Sequence, residues 1–468
     1  ERFVGRPLAD VPDPAGCHAS YAEHFSADFE SGLERLHVFP DYVRQSEAYR
    51  AGRYTSAIRQ ALRAHHQIFD VLASFQTAGR EAASEGEPGE GPGEGQRARY
   101  YPYRLYCQAC RRDFTQLEAY DDEAGRLSYR CTACGHRGSV LLDERPEGKL
   151  AWKVDWPMRW GAEGVDFEPA GADHATAGGS FEVARRLARE VFGTEPPYFV
   201  GYAFVGEAGR AKVSSSAGTL ATLTAALDVL EPAIVRWLYV RRTPGQSFVV
   251  DFGTEVMRLY DEWDALGRRV AAGEASEQEC LQYARATSTS AGPIPGTAIP
   301  VPFRVLASAA DITQGNVEQI LRIAAGHLPS PPDTETLRRG AEPRLGCAMT
   351  WAARYQPDEA RTRLRDHFAA EVYAELGPES RRAIAYVLDH LHRAWTLDGL
   401  SALLYAAPKV VRGLPPQAPA DEAIKRAQRA FFVDLYQLIC GRDTGPRLPT
   451  LFLSLGPDRV RRLLTPPG

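Results

Sequence analysis

Two pairs of cysteines constrain this chain more than any other feature. Cys107 and Cys110 form one CxxC, Cys131 and Cys134 the other, with twenty residues between them. A zinc ion takes four thiolates tetrahedrally, and each CxxC turn supplies two. A segment closed round such an ion has to double back, so strands and tight turns are expected over residues 97–142. Alternating stretches at 101–106, 127–130 and 139–142 read as β-hairpins. Gly135 stands where a tight turn aims amides at a thiolate. With all four positions filled, the ion has a structural role. The sequence holds no signal-peptide pattern and no apolar run of about 18 residues. Its cysteines therefore argue for metal and a reducing, cytoplasmic compartment rather than for disulfides. Of the eight cysteines, Cys280, Cys347 and Cys440 read as small buried apolar residues.

A second group of ligand types lies upstream. Asp13, Cys17, His18 and His24 fall within twelve residues, in a loop stiffened by Pro12 and Pro14. Such residues are common in ordinary turns, so by themselves they leave a metal-free loop and a second zinc site both open. Between the two groups, apolar residues at helical spacing predict a helix over 43–75, with Ile58, Leu62, His65, Ile68, Leu72 and Phe75 on one face. Residues 84–96 form a Gly/Pro/Glu linker with no core-forming side chain.

From residue 152 the pattern becomes mixed αβ. Trp152, Trp156 and Trp160 recur at every fourth residue, which predicts a buried helical stripe; a Trp also stacks on flat or cationic ligands. Asp173-His174 followed by Gly178-Gly179 suits a turn that holds a nucleotide. The carboxylate can bond a ribose hydroxyl, the small residues admit close backbone approach, and a helix capped by Ser180 would present free amides. This helix has an apolar stripe ending at Gly193. A strand is expected over 198–205 and helices over 217–230 and 232–239. Lys212-Val-Ser-Ser-Ser-Ala-Gly218 offers one ammonium and several hydroxyls, a set suited to a polyphosphate leaving group, without the spacing of a P-loop. Beyond residue 251 nearly every stretch has helical periodicity, including 254–272, 277–286, 316–325, 357–376, 379–394, 397–405, 420–439 and 457–464. A domain boundary is therefore expected within 240–300. The net charge of −5 rules out a molecule that traps nucleic acid by its overall field, though not a local patch.

Taken together these motifs resemble class I lysyl-tRNA synthetases, over nearly the whole chain. The resemblance rests on Gly5-Arg-Pro-Leu8, the stretch from Val11 to His24, both CxxC pairs, Trp152-Lys-Val-Asp-Trp-Pro-Met-Arg-Trp160, Phe167-Glu-Pro-Ala-Gly-Ala-Asp-His174, Gly178-Gly179-Ser180, Lys212-Val-Ser-Ser-Ser216 and Gly441-Arg-Asp-Thr-Gly-Pro-Arg-Leu448. It implies a Rossmann-type α/β catalytic domain with an inserted zinc ribbon, followed by an all-α anticodon-binding domain of the helix-cage kind. It implies a lysine–tRNA ligase that uses ATP, Mg2+ and Zn2+ and has L-lysine and tRNA-Lys as partners. DNA and membrane are not expected partners, and the expected state is a monomer.

The resemblance also implies site residues. Lys212, Ser214, Ser215 and Ser216 match the KMSKS loop at the ATP phosphates, with Ser215 in place of the second lysine. Gly171, Asp173, His174, Gly178 and Gly179 match the nucleotide site. Trp152, His174 and Tyr202 match the lysine pocket, although Ala203 stands where the family has Glu. Asp13, Cys17, His18 and His24 fall where the family can hold a second zinc. Nothing in the sequence matches the HIGH signature, so the expectation is that the family's opening region lies outside it and that the Rossmann domain is incomplete at its beginning. The activity of this chain alone is left open on that account. The implied division is 1–99, the remainder of the first Rossmann half; 100–148, the ribbon; 149–240, the second half with the KMSKS-like loop; 241–300, stem-contact helices; and 301–468, the anticodon-binding domain. Two other readings of the residues stay open: an inactive paralogue that binds tRNA or amino acid, and a zinc-ribbon RNA-binding protein without ligase activity.

Overall fold

The computed structural model describes residues 2–81, 94–176, 179–207 and 222–466. Their contacts form two compact units, one of residues 1–34, 38–220 and 242–250, the other of residues 35–37, 221–241 and 251–468.

In the first unit the expected long helix over 43–75 is three helices, Gln45–Arg50, Thr55–Arg63 and His65–Glu81. The apolar spacing was read correctly: Ile58, Leu62 and Ile68 are buried together. A turn over 51–54 and a break at Ala64 divide the stretch, and the His65 ring there meets the Tyr100 carbonyl at 2.7 Å.

The cysteine segment is built from β1 (Tyr103–Leu105), β2 (Thr115–Asp121), β3 (Arg126–Cys131), β4 (Arg137–Leu141) and β5 (Gly148–Leu150). Strands β2, β3 and β4 make an antiparallel sheet. The stretch at 101–106 is not a hairpin arm. Its strand β1 pairs antiparallel with β5, so the chain enters and leaves the segment side by side. Side chains alternate along β1 and the start of β2, with Tyr103, Leu105, Thr115 and Leu117 buried and Arg104 and Gln116 outward, as the two-residue period of a strand requires.

After β5 the chain turns directly into the helix Trp152–Glu163, which buries Trp156 and Trp160. Next come β6 (Phe167–Gly171), the helix Ser180–Leu187, a wider turn at Ala188–Phe192 and β7 (Tyr198–Tyr202). β6 and β7 are parallel, with Gly171 opposite Tyr202. Parallel neighbours need such a crossover, and the helix covers it with Phe181 stacked on Phe199 at 3.8 Å. The strand expected over 198–205 divides: β8 (Val205–Glu207) pairs instead with β9 (Phe248–Val250), also in parallel. The residue that caps the crossover helix is Gly179, not Ser180, which is already helical.

Among its described residues, the regular structure of the second unit is helical apart from one short antiparallel pairing of Ser288–Thr289 with Gly292–Pro293. The helix expected over 217–230 is Leu223–Leu227, capped by the Thr222 hydroxyl; residues 217–221 lie outside the described residues. The helix expected over 357–376 is confined to Ala370–Glu375. Arg344 is buried with Glu231 at 2.6 Å and Asp264 at 2.8 Å, and accepts no lone placement: all three of its nitrogens are bonded. A distinct apolar core runs from Ile312 to Leu464. No described helix is long and apolar enough to cross a membrane.

Candidate active site and metal clusters

The carboxyl ends of the parallel strands β6 and β7 bring the candidate ligand-binding residues together. Gly171 closes β6 and Tyr202 closes β7, side by side in register. Asp173 and His174 follow in the single turn Ala172–Ala175. In open α/β sheets this end is where ligands bind. The His174 ring lies 5.5 Å from Trp156 and 6.4 Å from Trp152, and the two indoles stack at 5.2 Å. Trp156 is core, whereas Trp152 and Tyr202 are about half exposed, at 48% and 47%. An exposed indole and phenol beside a histidine form a wall suited to a cationic side chain. A Cβ at Gly171 would meet the Asp173 carboxylate at 2.6 Å, so that carboxylate lies directly over the strand end. A Cβ at Gly179 would meet the carbonyls of His174 and Thr176, both at 2.6 Å. Glycine is needed there because the turn folds back on itself.

Trp152 is held from behind by residues the sequence did not single out. The Tyr49 hydroxyl accepts from the Leu150 amide at 3.2 Å and donates to the Asp155 carboxylate. Asp155, 4% exposed, also pairs with Arg159 one turn along. One phenol thus pins the β5-to-helix corner on both sides of Trp152. Burial raises the Asp155 carboxyl above the usual range, with Tyr49 and Arg159 pulling the other way. Burial likewise pushes the Tyr49 phenol far up, so it stays a donor.

The four cysteines of the two CxxC pairs converge. Cys107 Sγ and Cys134 Sγ are 3.7 Å apart, as are Cys110 Sγ and Cys131 Sγ. Four sulfurs at about 2.3 Å from a zinc ion lie about 3.8 Å from each other, so the set fits that ion. Each pair is a knuckle of the same design. The Arg111 amide bonds the Cys107 carbonyl at 2.8 Å, and the Gly135 amide bonds the Cys131 carbonyl at 3.0 Å. Both Arg111 and Gly135 have positive φ, 61° and 75°. The glycine was legible as a turn; the arginine in the same conformation was not. Burial works against a Cys131 thiolate, but the amides of Cys134 and Ala133 outweigh it and bring the thiol down to about 7. Burial pushes Cys110 up to about 12. Binding of a metal would therefore release protons.

The second cluster also converges. Cys17 Sγ is 3.1 Å from His18 Nδ1, 3.2 Å from His24 Nδ1 and 3.2 Å from Asp13 Oδ2. His24 Nδ1 is 3.3 Å from Asp13 Oδ1. A tetrahedral zinc spaces nitrogen and sulfur ligands about 3.5 Å apart, so the set fits after opening by a few tenths of an ångström. The loop is organised around Asp13, which accepts from the amides of Ala15, Cys17 and His18 at 3.0, 2.8 and 2.8 Å. Local burial acts against its charge, yet these amides hold its carboxyl far below the ordinary range. The hydrogen bond to Asp13 raises the Cys17 thiol.

Lys212, Ser214, Ser215, Ser216 and Gly178 lie outside the described residues.

A family profile described as tRNA synthetases class I (K) matches residues 1–291. A lysine–tRNA ligase from Streptomyces coelicolor is 44% identical over 98% of this chain and 82% of its own length. One from Pyrococcus furiosus is 32% identical over 99% of this chain and 84% of its own length. A glutamate tRNA ligase of known structure from Elizabethkingia meningosepticum is similar over 97% of this chain and 90% of that one, at TM-score 0.39 and 11% identity, too little for any element to be carried over. The chain is thus an aminoacyl-tRNA synthetase of class I. Within that class, the chain belongs to the lysyl family.

Proposed function

We propose that this protein is a lysine–tRNA ligase, which activates lysine with ATP and transfers the lysyl group to tRNA-Lys. Family membership carries the reaction. What supports the assignment of residues is the meeting of Gly171, Asp173, His174 and Tyr202 at one strand end beside Trp152. The lysine carboxylate attacks the α-phosphate in line, and the bond to the leaving pyrophosphate breaks. A ribose hydroxyl of the tRNA then attacks the carbonyl of the adenylate, loses its proton and releases AMP. No protein nucleophile is required; positioning and charge stabilisation suffice.

In this reading Gly171 and Asp173 take the ribose, and Gly178 and Gly179 admit the nucleotide. Trp152, His174 and Tyr202 hold the lysine. Lys212, Ser214, Ser215 and Ser216 meet the phosphates. Mg2+ bound with ATP would screen phosphate charge. Cys107, Cys110, Cys131 and Cys134 would hold a structural zinc, and Asp13, Cys17, His18 and His24 a second. Residues 100–148 serve as an inserted ribbon between 1–99 and 149–240, the two parts of the Rossmann domain. Residues 241–300 contact the tRNA stem, and 301–468 read the anticodon. The protein works as a monomer in the cytoplasm, without DNA.

The test is ATP–pyrophosphate exchange by the full gene product. Exchange should require lysine, and Lys212→Ala should lower it about 100-fold or more with the circular dichroism spectrum unchanged. Exchange indifferent to lysine, or to Lys212→Ala, overturns the assignment.

A further inference from the structure

A cavity of about 350 Å³ in the first unit has no part in the reaction described above. One wall is Arg6, Pro7 and Leu8, from a sequence motif that the reaction leaves without a role. Gly5 sets that wall. Its φ is 85°, and a Cβ on it would meet the Phe114 ring at 2.9 Å. Its carbonyl accepts from the Asp113 amide at 2.8 Å. Glycine makes that turn without strain, and the turn brings Arg6 to the cavity. Tyr49 and Arg50 reach it from the helix Gln45–Arg50, and Lys149 from β5.

The wall holds more positive charge than it neutralises. Its one carboxylate, Glu147, is engaged by Arg50 at 3.2 Å and Arg111 at 2.5 Å. Lys149 is engaged by Asp113 at 2.8 Å. Among the described residues, Arg6 has a ring contact, Phe3 at 5.9 Å, but no carboxylate within ion-pair distance. Arg159 gives a terminal nitrogen to Asp155, while its buried Nε has no hydrogen-bond partner. Two guanidinium groups of the wall thus keep donors for an anion. The same wall offers apolar surface in Pro7, Leu8 and the rings of Tyr49 and Tyr106. Guanidinium donors match the oxygens of a phosphate, and aromatic rings take a flat body. Two such cations favour a doubly charged phosphate over a singly charged carboxylate. Inorganic phosphate would satisfy the charge but leave the rings unused.

Two residues of the wall also hold the lysine site. Tyr49 bonds the Leu150 amide and the Asp155 carboxylate, and Arg159 pairs with that carboxylate. A ligand packed on Tyr49 and Arg159 therefore fixes the corner from which Trp152 projects. We propose that this cavity binds a phosphate monoester with a flat apolar body, and that its occupation tightens the binding of lysine. By linkage, lysine then tightens the ester by the same factor. The lysine half of the inference rests on the ligase reading.

The experiment is calorimetric titration of the full protein with phenyl phosphate, without ATP, in the presence and absence of lysine. Phenol and inorganic phosphate should each bind about tenfold more weakly or worse. Arg6→Gln removes a charged donor and should weaken phenyl phosphate about tenfold. Ser46→Glu adds a carboxylate to the wall and should weaken it by a similar factor. Both positions are exposed, and thermal unfolding of each variant controls for folding. Lysine should tighten phenyl phosphate about fivefold, and phenyl phosphate should tighten lysine equally. Tyr49→Phe should still bind the ester and lose the mutual effect. Binding indifferent to both Arg6→Gln and Ser46→Glu, or a lysine affinity indifferent to the bound ester, overturns the proposal. Displacement of phenyl phosphate by deacylated tRNA would assign the cavity to nucleic acid and overturn it as well. Lysine-dependent exchange without the ester tests the ligase reading separately, so a missing mutual effect in a protein that passes it counts against the proposal alone.

Discussion

The two clusters of candidate metal ligands converge by different physical means. The CxxC set has Cys107 and Cys131 buried at the floor of two knuckles, where the sulfurs meet in pairs and the backbone amides of each knuckle face its own thiols rather than joining the two knuckles. The loop set is arranged before any ion arrives, because three amides converge on Asp13. In the first, the ion would be part of the fold. In the second, the protein's own hydrogen bonds already do the folding. The same convergence of ligands can therefore carry quite different stability.

Five substitutions sharpen or break that contrast. Cys131→Ser should have the largest effect. It should remove one metal per chain and destabilise the ribbon by several kcal/mol, since metal binding there is folding free energy; loss of amide protection over residues 103–150 reads it out. Tyr49→Phe comes next, as a site held by protein alone. It leaves the buried Asp155 carboxylate and the Leu150 amide short of a partner, at about 1–3 kcal/mol. It should also raise the KM for lysine more than it lowers kcat, because Trp152 sits between the two bonds. Gly135→Ala should cost about 1 kcal/mol, from positive φ alone, since a Cβ there meets nothing within 4 Å. Arg111→Gly in the matching knuckle should cost less, as strain relief offsets the lost ion pairs with Glu147 and Asp10. Cys17→Ser should be smallest in stability, within about 0.5 kcal/mol, yet lower the metal content by one per chain. A large loss of stability with Cys17→Ser would show that both ions are structural.

What the sequence made legible follows the same division between local and distant causes. The knuckle cysteines, the buried Trp156 and Trp160, and the helices Glu255–Ala272 and Glu422–Cys440 are set by spacing along the chain, and spacing was read. The stretch 357–369 was misread as helix because its backbone is claimed from afar. The Thr362 amide bonds the Asp311 carboxylate at 3.0 Å, and the Arg365 amide bonds the Ile439 carbonyl at 2.8 Å. Neither partner is visible from the local pattern. The pairing of β1 with β5 across the whole ribbon was missed for the same reason, as was Tyr49, which lies over a hundred positions from Asp155. At the candidate active site, Asp173 and His174 were singled out from a motif, and their shared turn at the end of β6 is local to it. The role of Trp156 as the nearer indole to His174 needed the fold.

The most direct test of the account is aminoacylation of tRNA by the full gene product with each amino acid in turn. The account predicts that lysine is joined to tRNA-Lys in an ATP-dependent reaction and that no other amino acid is joined at a comparable rate. A folded, metal-loaded protein that charges tRNA with a different amino acid, or with none, would contradict it.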